Sequence, residues 1–137
     1  MFILDKSLDI ALSIFPKFYT LTHQNNYHFT FGYLKNKLVV IGQNNMLVPN
    51  AKARYFHNRF KTGQKFYQIH SEIDATSKLW TKIHIDNRLK LVNIRLSNQK
   101  SNIVMCESKP CCDCQQILAG LGVTKIWYST KSGFNRL

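Results

Sequence analysis

The chain is poor in acid: seven Asp and Glu stand against nineteen Lys and Arg, a formal net charge of +12, and the two glutamates are Glu72 and Glu107. A lysine-rich coding bias does not account for this, since the same bias enriches glutamate. An excess of this size favours polyanions through counterion release and speeds encounter with them. The chain also has no run of about 18 apolar residues, so no membrane span is expected. Asp5 and Asp9 interrupt what would have to be the apolar region of a signal peptide. The four cysteines are not spread along the chain as a disulfide framework would be. Cys106, Cys111, Cys112 and Cys114 fall within nine residues, which reads as a metal cluster in a reducing, cytoplasmic setting. At 137 residues the chain is read as a single domain, residues 1–137, too short for two cores.

Two short motifs carry the chemistry. The first is His70-Ser71-Glu72 and the second Pro110-Cys111-Cys112-Asp113-Cys114. His70, Cys111 and Cys114 together make a nitrogen and two-thiolate donor set suited to one zinc ion, Zn2+, with the fourth position left for water. Cys111 and Cys114 are spaced to share one face of a helix's first turn, where the dipole favours thiolate over thiol. Pro110 suits the opening of that helix, having no N–H to leave unpaired. Glu72, two residues from His70, then serves as the proton carrier and not as a ligand. The competing reading is a closed structural zinc site with Cys112 or Cys106 as fourth ligand, which gives Glu72 and Pro110 nothing to do. Cys112 itself is expected to be a small buried side chain, Asp113 to face solvent, and Asp74 to cap or pair. His23, His28, His57 and His84 have no partner at ligand spacing and are expected to be structural.

H-x-E followed by P-C-x-x-C resembles the signature of the zinc-dependent cytidine, deoxycytidylate and other nucleobase deaminases. Asn50-Ala51-Lys52-Ala53-Arg54-Tyr55-Phe56, leading into Ile69-His70-Ser71-Glu72-Ile73-Asp74-Ala75, is similar to small viral or phage members. The resemblance implies a three-layer α/β fold: a mixed sheet of four to five strands with helices packed on it. It implies Glu72 as catalytic acid and base, and hydrolysis of cytosine to uracil. It also implies a sugar contact from Asn44, which follows a strand as Gly42-Gln43-Asn44, with Ser71 beside it among the substrate contacts.

Ile3 to Phe15 carries a helical apolar stripe that Pro16 is expected to end. Tyr27–Leu34 and Leu38–Ile41 read as a hairpin turning at Asn36. Ala51–Phe60 and Ser71–Ile83 read as helices, Leu89–Leu96 as a half-covered strand, Cys111–Leu121 as a helix stopped by Gly122, and Val123–Thr130 as the fourth strand. Seven residues after Thr130 are too few for a crossover to a parallel strand, so Phe134–Leu137 is expected to return antiparallel. In the resembled family this arrangement is shared by free cytidine deaminases and toxin-type nucleic-acid deaminases. The former generally have a cysteine where His70 stands.

Lys52, Arg54, Arg59, Lys61 and Lys65, interleaved with Tyr55, Phe56, Phe60 and Phe66 just before His70, are the candidate polyanion contacts. Phosphate contact is expected of the basic groups and core packing of most of the aromatics. Tyr128 and Phe134, at or after the end of the fourth strand, are candidates for lining the pocket. The expected substrate is cytosine in single-stranded nucleic acid, DNA favoured over RNA. Free cytidine, deoxycytidine or its monophosphate is the alternative, and a structural zinc module the third. Residue patterns leave open adenine as target base, the flanking preference and the oligomeric state.

Overall fold

The computed structural model describes residues 1–22 (17–22 as backbone only), 26–44, 50–64 and 68–137. Its elements are α1 (Phe2–Thr22), β1 (Asn26–Leu34), β2 (Lys37–Gln43), α2 (Ala51–Arg59), α3 (Ser71–Trp80), β3 (Lys90–Gln99), β4 (Asn102–Cys106), α4 (Cys112–Gly120), β5 (Lys125–Thr130) and β6 (Gly133–Arg136). The sheet is mixed, with order β2-β1-β3-β5-β6 and β4 paired to β3. The layered α/β architecture is the one expected, with six strands among the described residues instead of four to five.

Alternation along β1 separates the two faces. Tyr27, Phe29, Phe31 and Tyr33 are buried against Ile3, Ala11 and Phe15 of α1. The intervening residues look toward the layer of α2, α3 and α4, whose core joins Ala53, Phe56, Ile73, Leu79, Ile117 and Leu118 to Leu89, Leu91 and Ile126 of the sheet side. Strand β3 was expected to be half-covered. It lies between β1 and β5, with Leu91, Val92, Asn93 and Ile94 all buried, because helices cover both faces.

Three further differences have local causes. Helix α1 runs through Pro16 to Thr22. Pro16 and Leu12 are both exposed, so the carbonyl that loses its helical partner lies on the water side. Helix α4 begins at Cys112 with Cys111 as N-cap, so Pro110 precedes the cap instead of opening the helix. Strand β4 was not anticipated. It folds back on β3 through Lys100 and Ser101, both with positive φ (49° and 67°), in the same two-residue manner as Lys35 and Asn36 (51° and 61°) between β1 and β2. The expected antiparallel return of the chain end is present, β5 pairing with β6.

Strand β3 changes partner partway along. β5 pairs with Lys90–Asn93 in parallel, and β4 pairs with Arg95–Gln99 antiparallel. Ser108 and Ser129 stitch this fork: their hydroxyls are 2.8 Å apart, and Ser129 Oγ donates to the Cys106 carbonyl at 2.6 Å. The loop carrying Lys109, Pro110 and Cys111 leaves from this point.

Candidate metal and proton-transfer site

The first turns of α3 and α4 meet above the sheet. His70 caps α3 with extended backbone and makes no side-chain cap bond, which leaves its ring for other partners. Its Nδ1 is 3.6 Å from Cys111 Sγ and 3.4 Å from Cys114 Sγ. The ligand atoms of His70, Cys111 and Cys114 all lie within 4.8 Å of one another. Nitrogen and sulfur on a zinc tetrahedron stand about 3.6 Å apart, so the donor set fits zinc in type and in spacing. No fourth protein ligand joins them among the described residues. Cys106 Sγ contacts the Val104 carbonyl at 3.9 Å, and Cys112, expected to be buried, is exposed. Cys112 is the first residue of α4 and turns to solvent while the cysteines on either side converge on His70.

Protons are shared within this group. Cys111 is held down at about 3, chiefly by a hydrogen bond from Cys114, with His70 and the Cys114 N–H adding to it against burial. The Cys114 thiol is pushed up by the same bond and by its own burial. These opposite shifts are two sides of one shared proton, and a divalent cation in its place would hold both sulfurs as thiolates. The His70 ring is shifted up, first by its bond to Cys111.

Glu72 is buried, and burial is the main cause that raises its pKa. Its Oε1 is 2.9 Å from Ser71 Oγ, which is 2.8 Å from Thr30 Oγ1, which in turn is 2.8 Å from Asn93 Oδ1. Thr30 and Asn93 are directly opposed in register on β1 and β3. Asn93 directs Nδ2 at the Ser108 carbonyl, 3.4 Å away, so its Oδ1 is the acceptor in this row. Two hydroxyl hydrogens therefore serve three oxygen contacts. Ser71 donates to the Glu72 carboxyl, and the Thr30 hydroxyl is shared between Ser71 Oγ and Asn93 Oδ1. Burial holds the Glu72 pKa up, and the hydrogen bond from Ser71 works against it.

A cavity of about 280 Å³ opens beside the group. His28, Asn44, His70, Ser71, Glu72, Ser108, Lys109 and Cys111 are among the residues that line it. Asn44 is among the lining residues, its Oδ1 accepting the His28 N–H at 3.1 Å. Ser71 also lines the cavity, its hydroxyl engaged by Thr30 and Glu72. Gly42 explains how α3 comes so close: a Cβ there would meet Ala75 N at 2.6 Å and run into the Ser71 carbonyl. Asp74 pairs as expected, with the Gln43 N–H and Lys78, both at 2.9 Å.

Other candidates are distributed differently. Tyr128 is buried beside Asn93 in register, on the same strand face as Ile126, and is not among the cavity-lining residues described. Phe134 packs with Trp127 on the core beneath α1, the sheet face away from the cavity. Lys52, Arg54, Arg59 and Lys61 lie on or just after α2, outside the cavity. Arg54 and Arg59 border a separate groove of about 750 Å³ with Asn50, Tyr55 and Asn58. Arg59 lies 5.2 Å over the Trp80 ring and donates to the Tyr55 hydroxyl at 3.3 Å. Phe56 is core, whereas Tyr55 is 47% exposed and offers a ring face. Lys65 and Phe66 fall outside the described residues. His28, expected to be structural, lines the cavity, and Thr30, Asn93, Ser108 and Lys109 were not singled out from the sequence. For Thr30 and Asn93 the available signal was a polar residue on a buried strand; Ser108 and Lys109, in the loop after β4, carried none.

No family model matches the chain, and no curated protein does. Two solved structures are similar along most of it. One is the dCMP deaminase of the cyanophage S-TIM5 in apo form, 15% identical, covering 88% of this chain and 79% of that one with a TM-score of 0.47. The other is a cytidine deaminase from Mycobacterium leprae, 16% identical, covering 84% and 77% with a TM-score of 0.44.

Proposed function

We propose that the protein is a zinc-dependent hydrolytic deaminase that converts cytosine to uracil, acting on single-stranded polynucleotide with DNA favoured over RNA. The observation that carries the reading is the convergence of His70, Cys111 and Cys114 beside a buried Glu72 that lines a cavity of about 280 Å³. Held by those three residues, zinc would supply Lewis acidity that eases removal of a proton from water. Glu72 takes that proton and delivers it to the ring nitrogen as the water oxygen adds to the base, then takes the remaining hydroxyl proton and gives it to the departing amine as the carbonyl forms. Water is consumed and ammonia released. Ser71 and Thr30 hold the Glu72 carboxyl in place, and Asn44 is placed to bind sugar.

The +12 charge and the α2 groove support the polynucleotide substrate: Arg54, Arg59, Lys52 and Lys61 are placed for phosphates and Tyr55 for a stacked base. The modest volume of the cavity, about 280 Å³, supports the second reading, a free cytidine or deoxycytidylate deaminase. The test offers the zinc-loaded protein cytidine, deoxycytidylate, single- and double-stranded DNA, and RNA, and follows ammonia and uracil formation. Turnover of single-stranded DNA that falls steeply between about 50 and 200 mM salt is expected, and Glu72→Gln abolishes it while retaining zinc. Conversion of monomers alone overturns the polynucleotide reading. Ammonia release that survives Glu72→Gln overturns the assignment of Glu72.

A further inference from the structure

We infer that a groove at the far end of α3 from the cavity is a docking site for an acidic segment of a partner protein, one that carries carboxylates beside aliphatic side chains. The cavity lies at the start of α3 and this groove beyond its end, past ten helical residues or about 15 Å. No residue lines both. The inference therefore does not depend on the deaminase reading.

The groove holds about 560 Å³ where β1 ends and β3 and β5 begin. Leu34 and Ile83, half-buried at the margin of the core, give it aliphatic surface, and Lys35, Arg88, Lys90 and Lys125 line it with positive charge. Lys90 and Lys125 are direct partners in the parallel pairing of β3 with β5, and like charges so placed repel. The nearby carboxylate, Asp86, is taken by Arg88 at 2.9 Å. Lys90 donates to a neutral group, Asn36 Oδ1, at 3.2 Å. Among the described residues no carboxylate pairs with Lys35, Lys90 or Lys125. Carboxylates from a ligand would relieve the repulsion that the fold leaves here.

The lining chemistry selects the kind of polyanion. A phosphodiester backbone has no aliphatic group to bury against Leu34 and Ile83. A base would need a ring to stack on or an amide to read it, and no Phe, Tyr, Trp, Asn or Gln lines the groove. A second copy of this chain fits no better, since its seven acidic residues include no adjacent pair. Carboxylates spaced among aliphatic residues match both features: the aliphatic groups are buried, and the charges at the rim fix orientation and speed encounter.

The test is fluorescence anisotropy on the whole protein with three labelled probes: a short peptide of repeating Asp-Leu-Glu, the same peptide with serine for leucine, and single-stranded oligothymidylate. Wild type is expected to bind the leucine peptide more tightly than the serine peptide. Reversing both Lys90→Glu and Lys125→Glu is expected to weaken the leucine peptide at least about tenfold. Lys100→Glu with Lys131→Glu makes the same change in net charge beyond the other ends of β3 and β5, and should weaken it by less than about threefold. Should the groove pair fail to fold, Lys35→Glu, in an exposed turn, is compared with Lys131→Glu and is expected to weaken the peptide more. Failure of wild type to bind the leucine peptide, equal affinity for the serine peptide, or equal losses from the groove and control reversals overturns the proposal. A loss of oligothymidylate binding in the groove variant as large as the loss of peptide binding assigns the groove to nucleic acid and overturns it as well.

Discussion

Replacing Thr30 by valine keeps the shape of the side chain and removes one hydroxyl from the row beneath Glu72. Thr30 is fully buried, and its Oγ1 lies 2.8 Å from both Asn93 Oδ1 and Ser71 Oγ. Valine leaves the buried Asn93 oxygen without its donor, a loss of about 1–3 kcal/mol. For a domain of this size that lowers the melting temperature by roughly 3–10 °C. Ser71 also loses its second contact, so Glu72 is directed less well, and misdirection of about 1.4 kcal/mol is tenfold in kcat. Thr30→Ser is the control. It keeps the hydroxyl and loses a buried methyl, about 1 kcal/mol, so it should lower stability while retaining kcat. The assay pairs thermal denaturation with steady-state deamination and zinc content, with zinc and KM expected near wild type in both variants. Thr30→Val with wild-type kcat, or Thr30→Ser impaired as much as Thr30→Val, refutes the reasoning.

Two other perturbations separate packing from charge. Gly42→Ala drives a Cβ into the backbone of α3, whereas Gly32→Ala meets Val40 Cγ1 at 2.6 Å, the end of a side chain that can turn away. Urea denaturation should show Gly42→Ala losing about 1–3 kcal/mol and Gly32→Ala losing less; the reverse order would show that α3 can move off β2 freely. His28 is pushed down to about 4, mainly by burial and then by the charges of Arg95 and His70. An unfolded chain therefore binds this proton near pH 6.5 and the folded chain only near 4. The stability that neutral His28 contributes is complete above pH 6.5 and is lost as pH falls toward 4, about 3 kcal/mol at 1.36 kcal/mol per tenfold of proton affinity. His28→Gln should flatten the stability profile of metal-free protein over that interval, and an unchanged acid limb would sink the assignment.

The elements legible in the sequence were those whose signals are local. Asn36 marks a turn because asparagine tolerates positive φ, and the hairpin it makes is present. Lys100 and Ser101 make an equivalent turn with residues that carry no such mark, so β4 was invisible until its pairing with β3 was seen. Pro16 misled because a helix break depends on where the freed carbonyl faces, which is a property of packing. The two motifs pointed to the residues that converge, His70, Cys111 and Cys114, since spacing within one helical turn is itself geometry. Cys112 shows the limit of that reading: beginning α4 one residue later turned it outward.

What no local pattern could give is the meeting of the two halves. Their only link in sequence is a gap of forty residues, yet His70 and Cys111 stand 3.6 Å apart. The sheet joins them twice. On one side Gly42 lets the first turn of α3 settle on β2, while Thr30 reaches Ser71 from β1. On the other, Asn93 sits where β3 passes from β5 to β4, and its carbonyl accepts the Ser108 hydroxyl at 2.8 Å. Thr30 and Asn93 face each other across one strand pair, so a single cross-strand contact is common to the row that reaches Glu72 and to the loop that carries Cys111. A polar pair at the centre of a six-stranded sheet would otherwise weaken it, because buried polar groups contribute little beyond the cost of removing them from water. Its place between the two motifs gives that cost a counterpart: Thr30 ties the first turn of α3 to the sheet through Ser71, and Asn93 ties the loop before α4 to it through Ser108.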